Sequence, residues 1–343
     1  MSEPRDEQGD LEERTAHREQ VPSRRSALLR VGKALLIGGA FGAGAAVFHD
    51  PKNPVRKRAQ KGKTLPSFEV PVAPGTPRLV EVRGADPVKN LQLALKALGG
   101  LEQFIRPGDR VLLKPNMAFD RTPELGSNTS PEVMGELTRL CRKAGAKEVV
   151  VAENTLFDAD RCVESSGIGE AVRRAGGKIL IPGKKDYAEV RLGGQVLDSW
   201  PFFKKLFEVN KVINVPTAKH HRQSRVSLGM KNWMGAIGGE RRRMHQKLAE
   251  SIADLAAGLR PTLVVLDASR LLMRHGPTGG SLSDVTPGNA LIAGWDQVAV
   301  DARALPLLGA TLAEVLHVTA AARVGVGKLH LEDGELAVIN ADA

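Results

Sequence analysis

Short runs of β-branched and leucine-rich residues recur along the chain, most of them separated by stretches with helical spacing. The runs cover residues 79–82, 110–113, 148–152, 178–181, 211–215, 262–266 and 290–293. Between them, helices are predicted over 86–98, 130–144, 167–177, 246–259 and 296–308, with Asp86 and Ser130 as caps and Leu248, Ile252, Leu255 and Leu259 on one face. Strands that alternate with helices predict an α/β fold, a mainly parallel sheet flanked by helices. A small β-hairpin insertion is predicted over 187–200 around Gly193-Gly194, followed by a helix over 202–209. At 343 residues the chain can bury one large core or two small ones.

Chemistry-bearing residues collect where these strands end. Lys114 and Asn116 follow the second strand, Glu153 and Asn154 the third, and Asp267 the sixth. After 211–215, Pro216 stops the strand, and Lys219, His220, His221, Arg222 and Arg225 crowd into seven positions with no acid among them. A helix is predicted over 225–237, carrying Lys231 and Asn232, with His245 in a second basic run. In open α/β sheets the carboxyl ends of the strands are where ligands bind. Taken singly, each residue has a plainer role: a basic loop is usually a solvated face, and Asp267 can cap a turn at Ser269. Taken together they predict a small-anion site, with Lys114, Asn116, Lys219, Arg222, Arg225, Asn232 and His245 as ligands and His220, His221 and Lys231 as catalytic candidates. Gly279 and Gly280, in the loop 274–281, would bring backbone N–H groups to an anion or form a cover over the strand ends. His221 with Asp267 is the candidate metal pair, ranked below an anion because adjacent histidines on a strand end do not readily chelate one ion.

The front of the chain has another character. Residues 1–20 hold seven acids and three bases, and residues 21–63 ten bases and one acid, leaving about +5 of the net +10 on the rest. About half of the basic balance is therefore a property of the leader, concentrated in residues 21–63. With aromatics at 4%, this argues against nucleic acid as a partner. Within the leader, Ser23-Arg24-Arg25-Ser26-Ala27-Leu28-Leu29 is similar to a twin-arginine export motif, with Ala27 in place of the usual Phe. A Gly- and Ala-rich run over 34–48 follows, with a small-x-small cleavage site at Ala43-Gly44-Ala45. Residues 1–48 are read as the signal segment, 49–77 as a basic, Pro-containing linker and 78–343 as the α/β domain. The expected partner is the twin-arginine translocase and the expected place periplasmic or extracytoplasmic, with an uncleaved signal as membrane anchor still open. Cys141 and Cys162 are the only cysteines, either paired or two buried thiols.

LLKPN at 112–116, INVPTAKHH at 213–221, SLGMKNWMG at 227–235, VVLDA at 264–268, GPTGGSLSD at 276–284 and DQVAVDA at 296–302 together resemble the family named domain of unknown function 362. The resemblance runs over about 79–308. It implies an α/β fold and a cofactor- or metal-linked role with no settled reaction. Many members carry ferredoxin-type cysteine clusters; two cysteines cannot hold one, so a separate iron–sulfur protein is the implied redox partner. A more distant resemblance is to the nickel-dependent lactate racemases, where a histidine acts as acid–base and a lysine ten residues on anchors a nickel cofactor. His221 and Lys231 have that spacing, with Arg222 to Met230 in place of the racemase's glycine-rich stretch. The two functional readings are thus an enzyme acting on a small anion through His221 and Lys231, and a non-catalytic protein binding or maturing an anion, metal or cofactor.

Overall fold

Alternating side chains along the strands sort the apolar residues onto two faces, and both faces are covered. In the computed structural model, which describes residues 63–343, Val111 and Leu113 enter one core while Leu112 between them enters the other. The strands are β1 (Leu79–Arg83), β2 (Arg110–Pro115), β3 (Glu148–Ala152), β4 (Lys178–Leu180), β5 (Tyr187–Arg191), β6 (Ser199–Phe203), β7 (Lys211–Val215), β8 (Thr217–His221), β9 (Arg225–Ser227), β10 (Leu263–Leu272), β11 (Val285–Gly294) and β12 (Leu336–Asn340). Helices α1 (Pro87–Ala97) and α2 (Pro131–Lys143) cover one face. The shorter α3 (Ala159–Ser165) and α4 (Ile168–Arg174) lie between β3 and β4. After the single turn α5 (Gly229–Asn232), helices α6 (Leu248–Gly258), α7 (Gln297–Ala304) and α8 (Leu316–Arg323) cover the other face.

The main sheet runs β12-β1-β11-β10-β7-β2-β3-β4. Parallel pairing joins β10, β7, β2, β3 and β4, and also β1 with β12, while β11 is antiparallel to both neighbours. The α/β fold with a mostly parallel sheet and a separate β5–β6 hairpin is as the sequence predicts. The export motif and the run over 34–48 lie outside the described residues. Residues 63–77, expected as linker, pack on the domain: Phe68 is fully buried, its N–H donates to Arg260 O and its carbonyl accepts from Thr262 Oγ1.

Three local expectations are corrected. Pro216 does not end the strand run; it changes the strand's partner. Before it, β7 pairs with β2 and β10; after it, β8 pairs with β10 and β9 and no longer with β2. The helix expected over 225–237 is replaced by β9, the α5 turn and a 3-10 turn at Trp233–Gly235. Arg225 sits at φ +66 and closes the β8–β9 hairpin, so no helix can start there. The helix expected over 202–209 is the end of β6 plus a 3-10 turn, Lys204–Phe207. There the register Tyr187↔Phe203 holds the chain extended, and Pro201 suits an edge strand rather than a helix interior. Cys141 and Cys162 are both buried and unpaired with each other, and burial pushes their thiols up to about 12 and about 11.

Candidate functional site

The divergence of β8 from β2 opens a gap at the carboxyl edge of the sheet, and polar side chains fill it. Lys219 and His221 share one side of β8, as a two-residue repeat requires. Lys219 Nζ reaches across to Asn116 Oδ1 at 2.8 Å and to the Ser127 carbonyl, and lies 4.6 Å from the centre of the Phe119 ring. Asn116 Nδ2 donates to Asn232 Oδ1 at 3.1 Å, which also accepts from Lys114 Nζ at 3.3 Å. Asn232 is further fixed by its amide, which donates to Asn214 Oδ1 at 2.8 Å and to the Lys114 and Pro115 carbonyls. Lys114 closes the chain on Glu153 Oε2 at 2.8 Å, an ion pair with both partners buried. Burial pushes Lys114 down and Glu153 up, each partly offset by the other. Gly235 makes room for this pair: a Cβ there would stand 1.8 Å from Glu153 Oε1 and 2.7 Å from Lys114 Nζ.

A cavity of about 70 Å³ is lined by Asn116, Phe119, Glu153, Leu156, Lys219, His221, Ser227, Lys231, Asn232, Met234, Arg241 and Pro277, among others. Lys231 comes from α5, whose start is held by Asp301: its carboxylate accepts from Gly229 N at 2.7 Å and Met230 N at 2.9 Å. Asp301 is wholly buried, and burial raises it to about 7 against the pull of those two amides. Lys231 itself is 8% exposed, and its side chain hydrogen-bonds to Met234 Sδ at 3.7 Å. Among the described residues no carboxylate pairs with it. Burial, and then the Arg241 charge, lower it to about 8. Lys219 is held well below its ordinary range by burial and then by Lys231. Arg241 is anchored by carbonyls alone, at Asn154, Met234 and Thr155. Four basic side chains thus surround the cavity with the single carboxylate of Glu153 among them.

His221 has a defined tautomer. The backbone N–H groups of Gln223 and Ser224 both donate to Nδ1, at 3.1 and 3.2 Å, which leaves the hydrogen of the neutral ring on Nε2. Burial, then Lys231 and Lys219, hold the imidazole down to about 2. In this arrangement His221 has an Nε2–H to offer as a donor and no vacant nitrogen with which to take a proton.

The other sequence candidates lie elsewhere. His220 is on the opposite side of β8, where its Nδ1 accepts from Gly276 N at 3.1 Å. Arg222 is exposed, and Arg225 turns to Glu314 and the Gly309 carbonyl. His245 is exposed but close enough to Lys231 for that charge, after burial, to lower it. Gly279 gives its N–H to His275 O within its own turn, and Gly280 is outside the cavity lining; Pro277 is the part of that loop that lines it. Asp267 is committed to structure, accepting from Ser130 N, Ser269 N and Ser269 Oγ. A metal centre does not fit these donors: both Asp267 oxygens are taken, His221 offers an N–H, and among the described residues no cluster of three or more His, Cys, Asp or Glu could hold an ion. Two residues escaped the sequence reading. Asn214 was hidden inside a β-branched strand, where a buried amide is itself a signal because it must find partners. Arg241 stood in a basic run whose members the sequence does not separate.

A family model described as domain of unknown function (DUF362) matches residues 111–305, more than half of the chain. A thylakoid-associated protein of Synechocystis sp. is 28% identical over 225 residues, which cover 62% of this chain and 67% of that protein. Two solved structures are similar at low level: the lactate racemase apoprotein of Thermoanaerobacterium thermosaccharolyticum (TM-score 0.41, 11% identity, 69% of this chain) and a protein from Thermotoga maritima (TM-score 0.38, 13% identity, 70% of this chain). The chain spans 60% of the length of each.

Proposed function

Since the chain belongs to the family named domain of unknown function 362, and the matched region contains every residue that lines the cavity, we propose that this cavity binds a small carboxylate and is the active site of an enzyme that acts on it. The observation that carries the reading is Lys231: a buried amine whose hydrogen-bond partner is a thioether, facing a cavity where bases outnumber acids. An ionised amine buried without a partner is costly unless an anion supplies the missing charge. Lys231 and Lys219 would hold the carboxylate, with the fixed Arg241 charge behind them. His221 Nε2–H would donate to a second oxygen of the ligand. The size favours few atoms: at about 10–15 Å³ per water-sized position, the cavity of about 70 Å³ holds about five to seven.

The test is ligand-dependent stabilisation of the full chain, with acetate, lactate and phosphate compared against chloride at equal ionic strength. A carboxylate at about a hundred times its dissociation constant should raise the unfolding free energy by about 2.7 kcal/mol, and Lys231→Met should lose the effect. No stabilisation beyond chloride would sink the reading; a response to phosphate alone would move the ligand class.

The domain is also proposed to work outside the cytoplasm, next to a membrane. Support comes from the twin-arginine-like residues 23–29 and from the thylakoid association of the Synechocystis relative. Among the described residues no helix is long and apolar enough to cross a membrane, so attachment would rest on the leader or on a surface contact. Replacing Arg24 and Arg25 by lysine should leave the protein in the cytoplasmic fraction of a host with a twin-arginine system. Export of that variant would count against the assignment.

A further inference from the structure

The anion reading leaves one feature unused: the nucleophilic character of the Lys231 nitrogen. A lysine that only balances charge is best met by a carboxylate, as Lys114 is met by Glu153. Lys231 meets a thioether, a weak acceptor that leaves its lone pair available once the proton is gone. It is buried, lines the cavity, and has Lys219 and Arg241 as neighbours, an arrangement that favours a neutral amine. Across the same cavity His221 presents an N–H that is locked in place by two backbone amides.

We propose that Lys231 condenses with the carbonyl group of a small 2-oxo acid, of the pyruvate or glyoxylate class, whose carboxylate occupies the anion site. This deepens the proposed function and rests on it. The amine lone pair adds to the carbonyl carbon, and the C=O π pair moves to oxygen, where His221 Nε2–H donates a hydrogen bond. The C–O bond then breaks as the nitrogen lone pair forms C=N. The carbonyl oxygen leaves as water with the two amine hydrogens, and uptake of one solvent proton gives the iminium. In a pyruvate-class acid that cation draws electrons from the adjoining methyl carbon. Loss of a proton from that carbon requires this, its electron pair forming C=C as the C=N π pair returns to nitrogen to give an enamine.

With the amine at about 8, the free base at pH 7 exceeds that of an ordinary lysine by roughly two orders of magnitude. The experiment is borohydride trapping on the full chain with pyruvate, read by intact mass and peptide mapping. The expected result is one reduced adduct at Lys231, formed at least about tenfold faster than on any exposed lysine at pH 7, rising with pH through about 8 and suppressed by acetate. Lys231→Arg should lose the adduct yet keep a thermal response to acetate. Absence of the adduct, or labelling spread over surface lysines and indifferent to acetate, overturns imine formation. If acetate or pyruvate still stabilises the protein in that case, the anion site stands without it; if neither does, both readings fall together.

Discussion

Glu153→Ala is expected to destabilise the fold by about 3–5 kcal/mol, the cost of leaving a buried charge without its partner. Lys114 is completely buried, and Glu153 is its only carboxylate among the described residues. Its other contacts are the Pro115 carbonyl at 2.5 Å and the Asn232 side chain at 3.3 Å, which can share a proton's charge but not neutralise it. Glu153 also accepts from Met117 N at 3.1 Å, so its removal frees the start of the loop after β2 as well. Urea unfolding checks this directly, and a loss below about 1 kcal/mol would show that the pair is not coupled to the fold as described. Replacing both partners by apolar residues, Lys114→Met with Glu153→Leu, should recover much of the loss, because an apolar pair owes no desolvation.

Lys231→Met is expected to do the opposite to stability. The fall from 10.5 to about 8 corresponds to roughly 3 kcal/mol held against the folded state while the amine is charged. The sign follows from proton counting. Below about pH 8 both native and unfolded chains carry the proton, and the native chain bears the full penalty. Between about 8 and 10.5 the native chain has released the proton while the unfolded chain still binds it, so wild-type stability rises with pH through that window. Lys231→Met should therefore be more stable than wild type at pH 7, by up to about 3 kcal/mol, with the difference closing by about pH 10.5. Paired unfolding curves at the two pH values test it. A methionine variant weaker than wild type at pH 7 would mean that the amine already has an anionic partner in the protein. Stability gained as ligand binding is lost is the pattern of a group retained for function rather than for folding.

Much of this was readable from the chain, for reasons that can be located. Lys114, Asn116 and Lys219 could be grouped in advance because strand ends converge in a parallel sheet, and β2, β3 and β7 do pair in parallel; Lys231 was picked from the helix expected after them and from its spacing to His221. The choice between His220 and His221 was also within reach: a strand through Thr217–His221 puts Lys219 and His221 on one side. It was missed because Pro216 was read as a stop. Arg225 could not have been placed, since what turns it away is Glu314, 89 residues further on. Nor could the helix expected over 225–237 have been refused on spacing alone; the left-handed backbone at Arg225 and the Asp301 cap on Gly229 are tertiary facts. Asp267 shows the converse, a carboxylate at a strand end whose two oxygens are both engaged in bracing Ser130 and Ser269.

The change of partner at Pro216 has a consequence for how such a protein can diversify. The gap between β2 and β8 is held open by main chain, since β8 is bonded to β10 and β9 on its own account. Its breadth is therefore set first by the backbone, with the side chains of Asn116, Lys219 and His221 bonding across it or bracing the β8–β9 turn. Positions 116, 219, 221 and 231 line one cavity, and exchanging them would alter its chemistry while the backbone pairing that frames it stays in place. On the anion-site proposal, a lineage built on this frame would change its ligand by a few substitutions, without first having to find a new fold.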